Sequence, residues 1–192
     1  MNPLVLVNGS HACPEERPEL LAVCAGSEVM LERQAALGLG ALMEKVDGWR
    51  FITPVSGWRS FEEQEEIYRR SMAENGETFT RQYVARPGHS EHQTGLAIDL
   101  GLSGPALDFI RPNFPYEGVC QRFRTLAADF GFVERYPAGK EHLTGIAHEP
   151  WHFRYVGQAH ARRMGELGLV LEEYLDWLNA GEGSAAWESG HI

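Results

Sequence analysis

Apolar residues recur at helical spacing from Ser27 to Val46, where Val29, Leu31, Ala35, Leu39, Leu42, Met43 and Val46 share a face behind Ser27, a candidate N-cap. The pattern predicts a helix, weakened by Gly38 and Gly40. Phe51 to Val55 reads as a short strand, and Pro54, which cannot donate to a ladder, places it at a sheet edge or near a strand end. Ser60 precedes Glu63 at capping-box spacing, and Ile67, Tyr68 and Met72 continue an apolar stripe until Asn75-Gly76, where the helix should stop.

Pro87 to Gly95 is rich in Gly, Ser and His and should be irregular, after which Leu96 to Leu100 has strand character. Gly101 to Pro115 is a loop with three prolines, and Glu117 to Phe130 repeats a helical pattern that ends at Gly131. Phe132-Val133 and Trp151 to Val156 are further strand candidates, and Leu171 to Leu178 is an amphipathic helix. Helices mixed with short strands, with no repeat and no linker, predict an α+β fold and one domain over residues 1–180. Gly181 to Ile192 is small and polar and reads as a mobile tail.

Composition narrows the function. A chain of 192 residues, 43% hydrophobic and 23% charged, fits one domain and buries a core without disulfide staples. With 17 Lys and Arg against 27 Asp and Glu the net charge is −10, which lacks the basic footprint of a nucleic-acid binder and disfavours anionic membranes. From Met164 onward there are six acids and no Lys or Arg, which reads as a solvated face and a frayed end. Cys13, Cys24 and Cys120 form no CxxC pair, so neither a disulfide framework nor a thiolate metal site is expected. The start has no basic region ahead of its short apolar stretch, and no window approaches the ~18 apolar residues of a membrane span. The expected compartment is the cytoplasm, with no membrane anchor.

Of eight histidines, two stand in suggestive settings. In Ser90 to Asp99, His92 sits in a glycine-containing turn and Asp99 lies between Ile98 and Leu100. A carboxylate in such a strand needs an arginine, a helix N-terminus or a metal as partner. In Glu149 to Tyr155, His152 stands in an aromatic strand with a carboxylate three residues upstream. Residues three apart in a regular strand face opposite sides, but Pro150 breaks the strand and allows Glu149 to bend toward the face of His152. Two histidines and an aspartate suit a catalytic zinc site, or the iron(II) facial triad of oxygenases. A nearby glutamate favours hydrolysis. Neither a G-x-S-x-G elbow nor a phosphate-cradling glycine loop is present.

On these residues the chain resembles the M15 zinc peptidases of the D-Ala-D-Ala type. Their pattern S-x-H-x(6)-D followed by E-x-W-H is met by Ser90, His92 and Asp99, then Glu149, Trp151 and His152. The similarity extends to Gly57-Trp58-Arg59-Ser60 with Gln64 and to Tyr83 through Gly88, covering about Val55 to Gly157. Within the family it is most similar to the VanXY-type D,D-dipeptidase/D,D-carboxypeptidases of vancomycin resistance. The resemblance implies a small antiparallel sheet carrying the zinc site and flanked by helices, an architecture shared with the hedgehog domain. It implies one Zn2+ per chain on His92, Asp99 and His152, Glu149 as general base and acid, and Arg59 on the scissile carbonyl oxygen. Ser90, Gln64 and Tyr83 would hold the substrate carboxylate, with Trp151 walling the pocket. The substrate would be a small peptide ending in D-Ala. The alternatives are an L,D-carboxypeptidase or lysin-type cell-wall peptidase, or a non-catalytic zinc-bearing binding module, against which Glu149 and Arg59 together argue.

Overall fold

The structure is a computed structural model that describes residues 1–105, 107, 108 and 110–181; residues 182–192, most of the expected tail, lie outside the described residues. Its first paired strands are β1 (Leu20–Ala22) and β2 (Met30–Glu32), and β2 runs directly into helix α1 (Arg33–Lys45). The helix expected from Ser27 therefore begins at Arg33. Leu31 pairs with Leu21 across the two strands, so the buried positions ahead of Arg33 belong to a strand whose alternation imitates the helical stripe. Glu32 is the real cap, one carboxylate oxygen accepting from the N–H of Gln34 at 2.8 Å and of Ala35 at 3.2 Å.

Strand β3 (Ile52–Ser56) leads to helix α2 (Phe61–Tyr83), which opens with the expected capping box: Ser60 Oγ accepts from Glu63 N at 3.1 Å and Glu63 Oε2 accepts from Ser60 N at 2.7 Å. The expected stop at Asn75-Gly76 is a kink. Gly76 takes φ 80°, and the helix resumes to Tyr83, with Ser71 and Thr80 hydroxyls bonded at 2.8 Å across the break. Then follow β4 (Ala97–Leu102), α3 (Gly118–Ala127), β5 (Phe132–Tyr136), the single turn α4 (Glu141–Thr144), β6 (Glu149–Tyr155), α5 (Gln158–Leu167) and α6 (Leu171–Asn179). A 3-10 turn after α3 ends at Gly131 with φ 89°, where the sequence places the stop. Helix α5 escapes periodicity analysis because only Ala161 and Met164 of its ten residues are buried.

Four strands form an antiparallel sheet in the order β3-β4-β6-β5, which puts Pro54 on an edge strand as expected. Ile98, Leu100 and Phe153 pack into a core with Leu39, Leu42 and Met43 of α1 and Phe123 of α3. The Phe153 ring lies edge-on to Phe114 and Phe123, at centroid distances of 5.4 and 5.0 Å. A second cluster joins Val156, Ala161, Met164, Leu171 and Tyr174. The fold is thus one α+β domain with a small antiparallel sheet between helices.

Two irregularities in this sheet prepare the site. Between β3 and β4 the register moves from Pro54↔Leu100 to Ser56↔Asp99, so Val55 is an extra residue. Between β5 and β6 it moves from Glu134↔Phe153 to Tyr136↔Glu149, so Pro150, Trp151 and His152 oppose Arg135 alone. This bulge is the bend that Pro150 suggests.

After β3 the chain passes so close to β2 that a Cβ on Gly57 would run into the Met30 carbonyl, whereas one on Gly40 in α1 meets nothing within 4 Å. Gly57→Ala should cost about 1–3 kcal/mol through overpacking against backbone. Gly40→Ala should add roughly 0.5–1 kcal/mol through helix propensity. Thermal unfolding of the two variants should move in opposite directions, and a neutral Gly57→Ala would contradict the close approach.

Candidate active site

Asp99 in β4 and His152 in β6 are direct register partners on the two central strands, and His92 reaches them from a 3-10 turn over Glu91–Thr94. Asp99 Oδ1 accepts from His152 Nδ1 at 2.8 Å, and Asp99 Oδ2 lies 3.2 Å from His92 Nε2. One donor atom from each of the three residues falls within 4.8 Å of the others, and all three side chains are buried. His92 Nδ1–H donates to the Gly57 carbonyl at 2.7 Å, leaving the Nε2 lone pair facing Asp99. This set of two imidazoles and one carboxylate, with one ring already oriented by a backbone acceptor, fits a divalent cation of the zinc type.

Glu149 begins β6, and the bulge turns its carboxylate to within 4.0 Å of His152 Nδ1. Arg59 enters from the other side. Its Nε donates to Ser56 Oγ at 2.8 Å, Nη1 to Gln64 Oε1 at 3.2 Å and Nη2 to Asp99 Oδ2 at 3.2 Å. Three of five guanidinium N–H groups are thereby used, and one remains on each Nη.

Behind the triad lies a residue that sequence reasoning missed. Glu91 Oε2 accepts from His152 Nε2 at 3.4 Å, while Oε1 accepts from Arg135 Nε and Arg154 Nη1, each at 2.8 Å. Glu91 and both arginines are essentially inaccessible. Arg135 also makes a bidentate pair with Glu172 at 2.7 and 2.8 Å, and Arg154 donates to the carbonyls of Pro3 and Val5. In α6 two of the C-terminal acids expected on a solvated face are engaged instead. Glu172 completes this buried network, and Glu173 holds Lys140 at 2.9 Å. No local signal marks Glu91, whose neighbours are Ser90 and His92 and whose two arginines stand far along the chain.

The charges are unevenly tuned. Burial works to raise Asp99, but His92 and His152 overcome it and hold the carboxyl far below its usual range. Arg135 and Arg154 do the same for Glu91 against its burial. His92 is pushed down by burial and by the nearby Arg59 charge. Burial opposes protonation of His152, yet its bonds to Asp99 and Glu91 raise it to about 9. Glu149 is pushed up to about 8, by burial first and then by Asp99 and Glu91, with His152 and Arg59 opposing.

All nine residues singled out in the sequence line one cleft, which Tyr136 also lines with its ring 4.8 Å from that of His152. Ser90 is buried at its floor, Trp151 is a wall, and Tyr83 stands beside Phe79 with ring centroids 4.8 Å apart. Gln64 is engaged at both ends of its amide, accepting from Arg59 and donating Nε2–H to the Ala85 carbonyl at 2.7 Å. The expected loop from Gly101 gives up its first two residues to β4, and its remainder reaches the cleft at Ile110.

A buried triad of two histidines and an aspartate that could hold a metal ion, flanked by a carboxyl and a guanidinium on a small antiparallel sheet, is the kind of site a metallopeptidase uses. The chain belongs to the VanY, D-alanyl-D-alanine carboxypeptidase family, which it matches over residues 29–158. It is 40% identical over 182 residues to the bifunctional D-Ala-D-Ala dipeptidase and carboxypeptidase VanXYC of Enterococcus gallinarum, covering 93% of this chain and 96% of the relative. Its fold is similar to that of the vancomycin-resistance D,D-dipeptidase VanXYg in complex with a D-Ala-D-Ala phosphinate analogue, with TM-score 0.91 and 49% identity over 93% of this chain and 72% of that one. It is also similar to a glutamate-to-alanine mutant of the D,D-pentapeptidase VanY from a VanB-type cassette in complex with Zn(II), with TM-score 0.78 and 31% identity over 91% of this chain and 99% of that one.

The pKa shifts of His152 and Glu149 act on stability with the same sign. A raised histidine contributes stability that is full below its unfolded pKa of ~6.5 and is lost as pH rises to about 9. A raised carboxyl likewise costs stability as pH climbs from ~4.3 to about 8. Thermal unfolding of chelator-treated protein should therefore show a melting temperature that falls between pH 6.5 and 9, less steeply in Glu91→Gln. A rise over that interval would contradict the assigned shifts.

Proposed function

We propose that this protein is a zinc-dependent D,D-peptidase that hydrolyses D-Ala-D-Ala and removes the terminal D-Ala of the peptidoglycan precursor pentapeptide, acting in the cytoplasm as part of vancomycin resistance. The observation that carries the reading is the convergence of His92, Asp99, His152, Glu149 and Arg59 in one cleft of a chain 40% identical to a bifunctional enzyme over nearly its whole length. Among the described residues no helix is long and apolar enough to cross a membrane.

His92 Nε2, a carboxylate oxygen of Asp99 and His152 Nδ1 would hold one zinc ion, with Glu91 accepting from the other nitrogen of His152. A zinc ion held there would lower the pKa of a bound water to roughly 7 and polarise a carbonyl. The chain's own groups do the rest. Glu149 takes the proton of the attacking water and returns it to the amine of the departing D-Ala, a role suited to a carboxyl in the cleft whose proton affinity burial raises. Arg59, fixed by Ser56, Gln64 and Asp99, turns its two remaining N–H groups to the carbonyl oxygen as it becomes negative. The hydroxyls of Ser90 and Tyr83 receive the substrate carboxylate, Gln64 orients Arg59, and Trp151 walls the pocket.

The test is D-alanine release by zinc-loaded protein from D-Ala-D-Ala and from the UDP-linked muramyl pentapeptide in parallel. Release from both is expected, with Glu149→Ala inactive but still metal-loaded. Arg59→Ala should lower kcat by ~10²–10³ with zinc retained, the cost of one oxyanion donor. With the corresponding tetrapeptide as a third substrate, release from it alone would make the protein an L,D-carboxypeptidase, and release from none would leave a binding module.

A further inference from the structure

Glu149 owes its place to an irregularity. A regular β6 would send Glu149 and His152 to opposite faces, and the three-against-one bulge opposite Arg135 brings them to the same cleft. A bulge interrupts the ladder, so backbone polar groups there need partners from outside the sheet. The Pro150 carbonyl, next to Glu149, finds one in Arg124 of α3, whose Nη2 donates to it at 2.7 Å.

The same guanidinium is spent on three other acceptors. Nη2 also donates to the Phe114 carbonyl at 2.6 Å, Nη1 to the Pro115 carbonyl at 2.7 Å and Nε to Glu134 Oε2 at 2.7 Å. Its side chain is only 8% exposed and stacks 3.9 Å from the Tyr116 ring centre. Tyr116 returns to the same carboxylate, donating to Glu134 Oε1 at 2.6 Å, and accepts from His148 Nε2 at 2.8 Å. His148 precedes Glu149 and Pro150 follows it. Both neighbours are thus tied to one Arg124–Glu134 pair, which also fixes the end of the loop that brings Ile110 to the cleft.

We infer that Arg124 is a positioning residue for the reaction: through Pro150 on one side and the Glu134–Tyr116–His148 chain on the other, it sets the Glu149 carboxylate against the triad. This rests on the reading of Glu149 as the base. The planar fork meets four acceptors from three segments, and a lysine, with one compact charged centre, cannot reproduce it.

The experiment uses full-length, zinc-loaded enzyme with D-Ala-D-Ala as substrate. Arg124→Met should lower kcat about 10²-fold, the loss expected when a catalytic group moves by about 1 Å. KM and bound zinc should stay unchanged, because neither the triad nor the carboxylate-binding hydroxyls touch Arg124. Arg124→Lys should fail to rescue. Tyr116→Phe removes one hydroxyl from an exposed side chain, leaves the fold intact, and should give a smaller loss with the same split. In a Glu149→Ala background Arg124→Met should lower the residual rate no further, since residues acting as one unit are not additive. The inference is overturned if kcat per folded molecule is unaffected in Arg124→Met or, should that variant not fold, in Tyr116→Phe. Loss of zinc, or effects that multiply with Glu149→Ala, would overturn it as well. Should Glu149→Ala itself remain active, the reading of the base fails instead.

Discussion

Burying Glu91, Asp99 and His152 together is the constraint around which this molecule is arranged. An ionised carboxylate taken out of water costs several kcal/mol unless partners restore what solvation supplied. Asp99 meets this with His152 and Arg59, and Glu91 meets it with Arg135, Arg154 and His152. Each arginine then needs acceptors of its own. Those of Arg135 come from Glu172 on α6, and those of Arg154 include the carbonyls of Pro3 and Val5. No buried side-chain polar atom among the described residues is left without a partner. The sheet presents charge to the cleft, while its other contacts form the aromatic and aliphatic core against α1 and α3.

Sheet register turns this charge into a site. Central antiparallel strands bring Asp99 and His152 opposite one another without any long loop, and the edge irregularity at Val55 brings Ser56 opposite Asp99, where its hydroxyl orients Arg59. The larger irregularity in β6 resolves a conflict of spacing, since Glu149 and His152, three residues apart, cannot share a face in a regular strand. Departures from regular pairing fall at the cleft, and the regular stretches fall behind it.

The chemistry was more legible in the sequence than the fold. Asp99 and His152 announce themselves because polar groups inside apolar strands demand a partner, His92 stands in the glycine-containing turn ahead of Asp99, and Pro150 marks the bend that unites Glu149 with His152. Strand alternation and helical period overlap over short windows, so the sequence of β2 continues the helical stripe of α1. Helix α5 buries only Ala161 and Met164 of its ten residues, too few to form a stripe. Glu91 was hidden by the same logic that reveals Asp99. Its neighbours are Ser90 and His92, so nothing local declares it buried, and its partners Arg135 and Arg154 stand more than forty residues away. Composition misled in the same manner for Glu172, because a run of acids looks solvated until the arginine that needs one of them is located.

The region matched to the family, residues 29–158, does not complete its own electrostatics. Arg135 and Arg154 lie inside it, but Glu172 lies in α6 beyond its end, and the carbonyls of Pro3 and Val5 lie before its start. Asn8 Nδ2 donates to Glu172 Oε1 at 3.2 Å, joining the two flanking segments to each other. Without them, two arginines that neutralise Glu91 would be buried with unmet donors, and the acceptor that orients His152 would lose its balance of charge. The flanking segments therefore act on the cleft at a distance. They leave the reacting groups untouched and satisfy the cations that let a second carboxylate sit, ionised and dry, behind the His–Asp–His cluster.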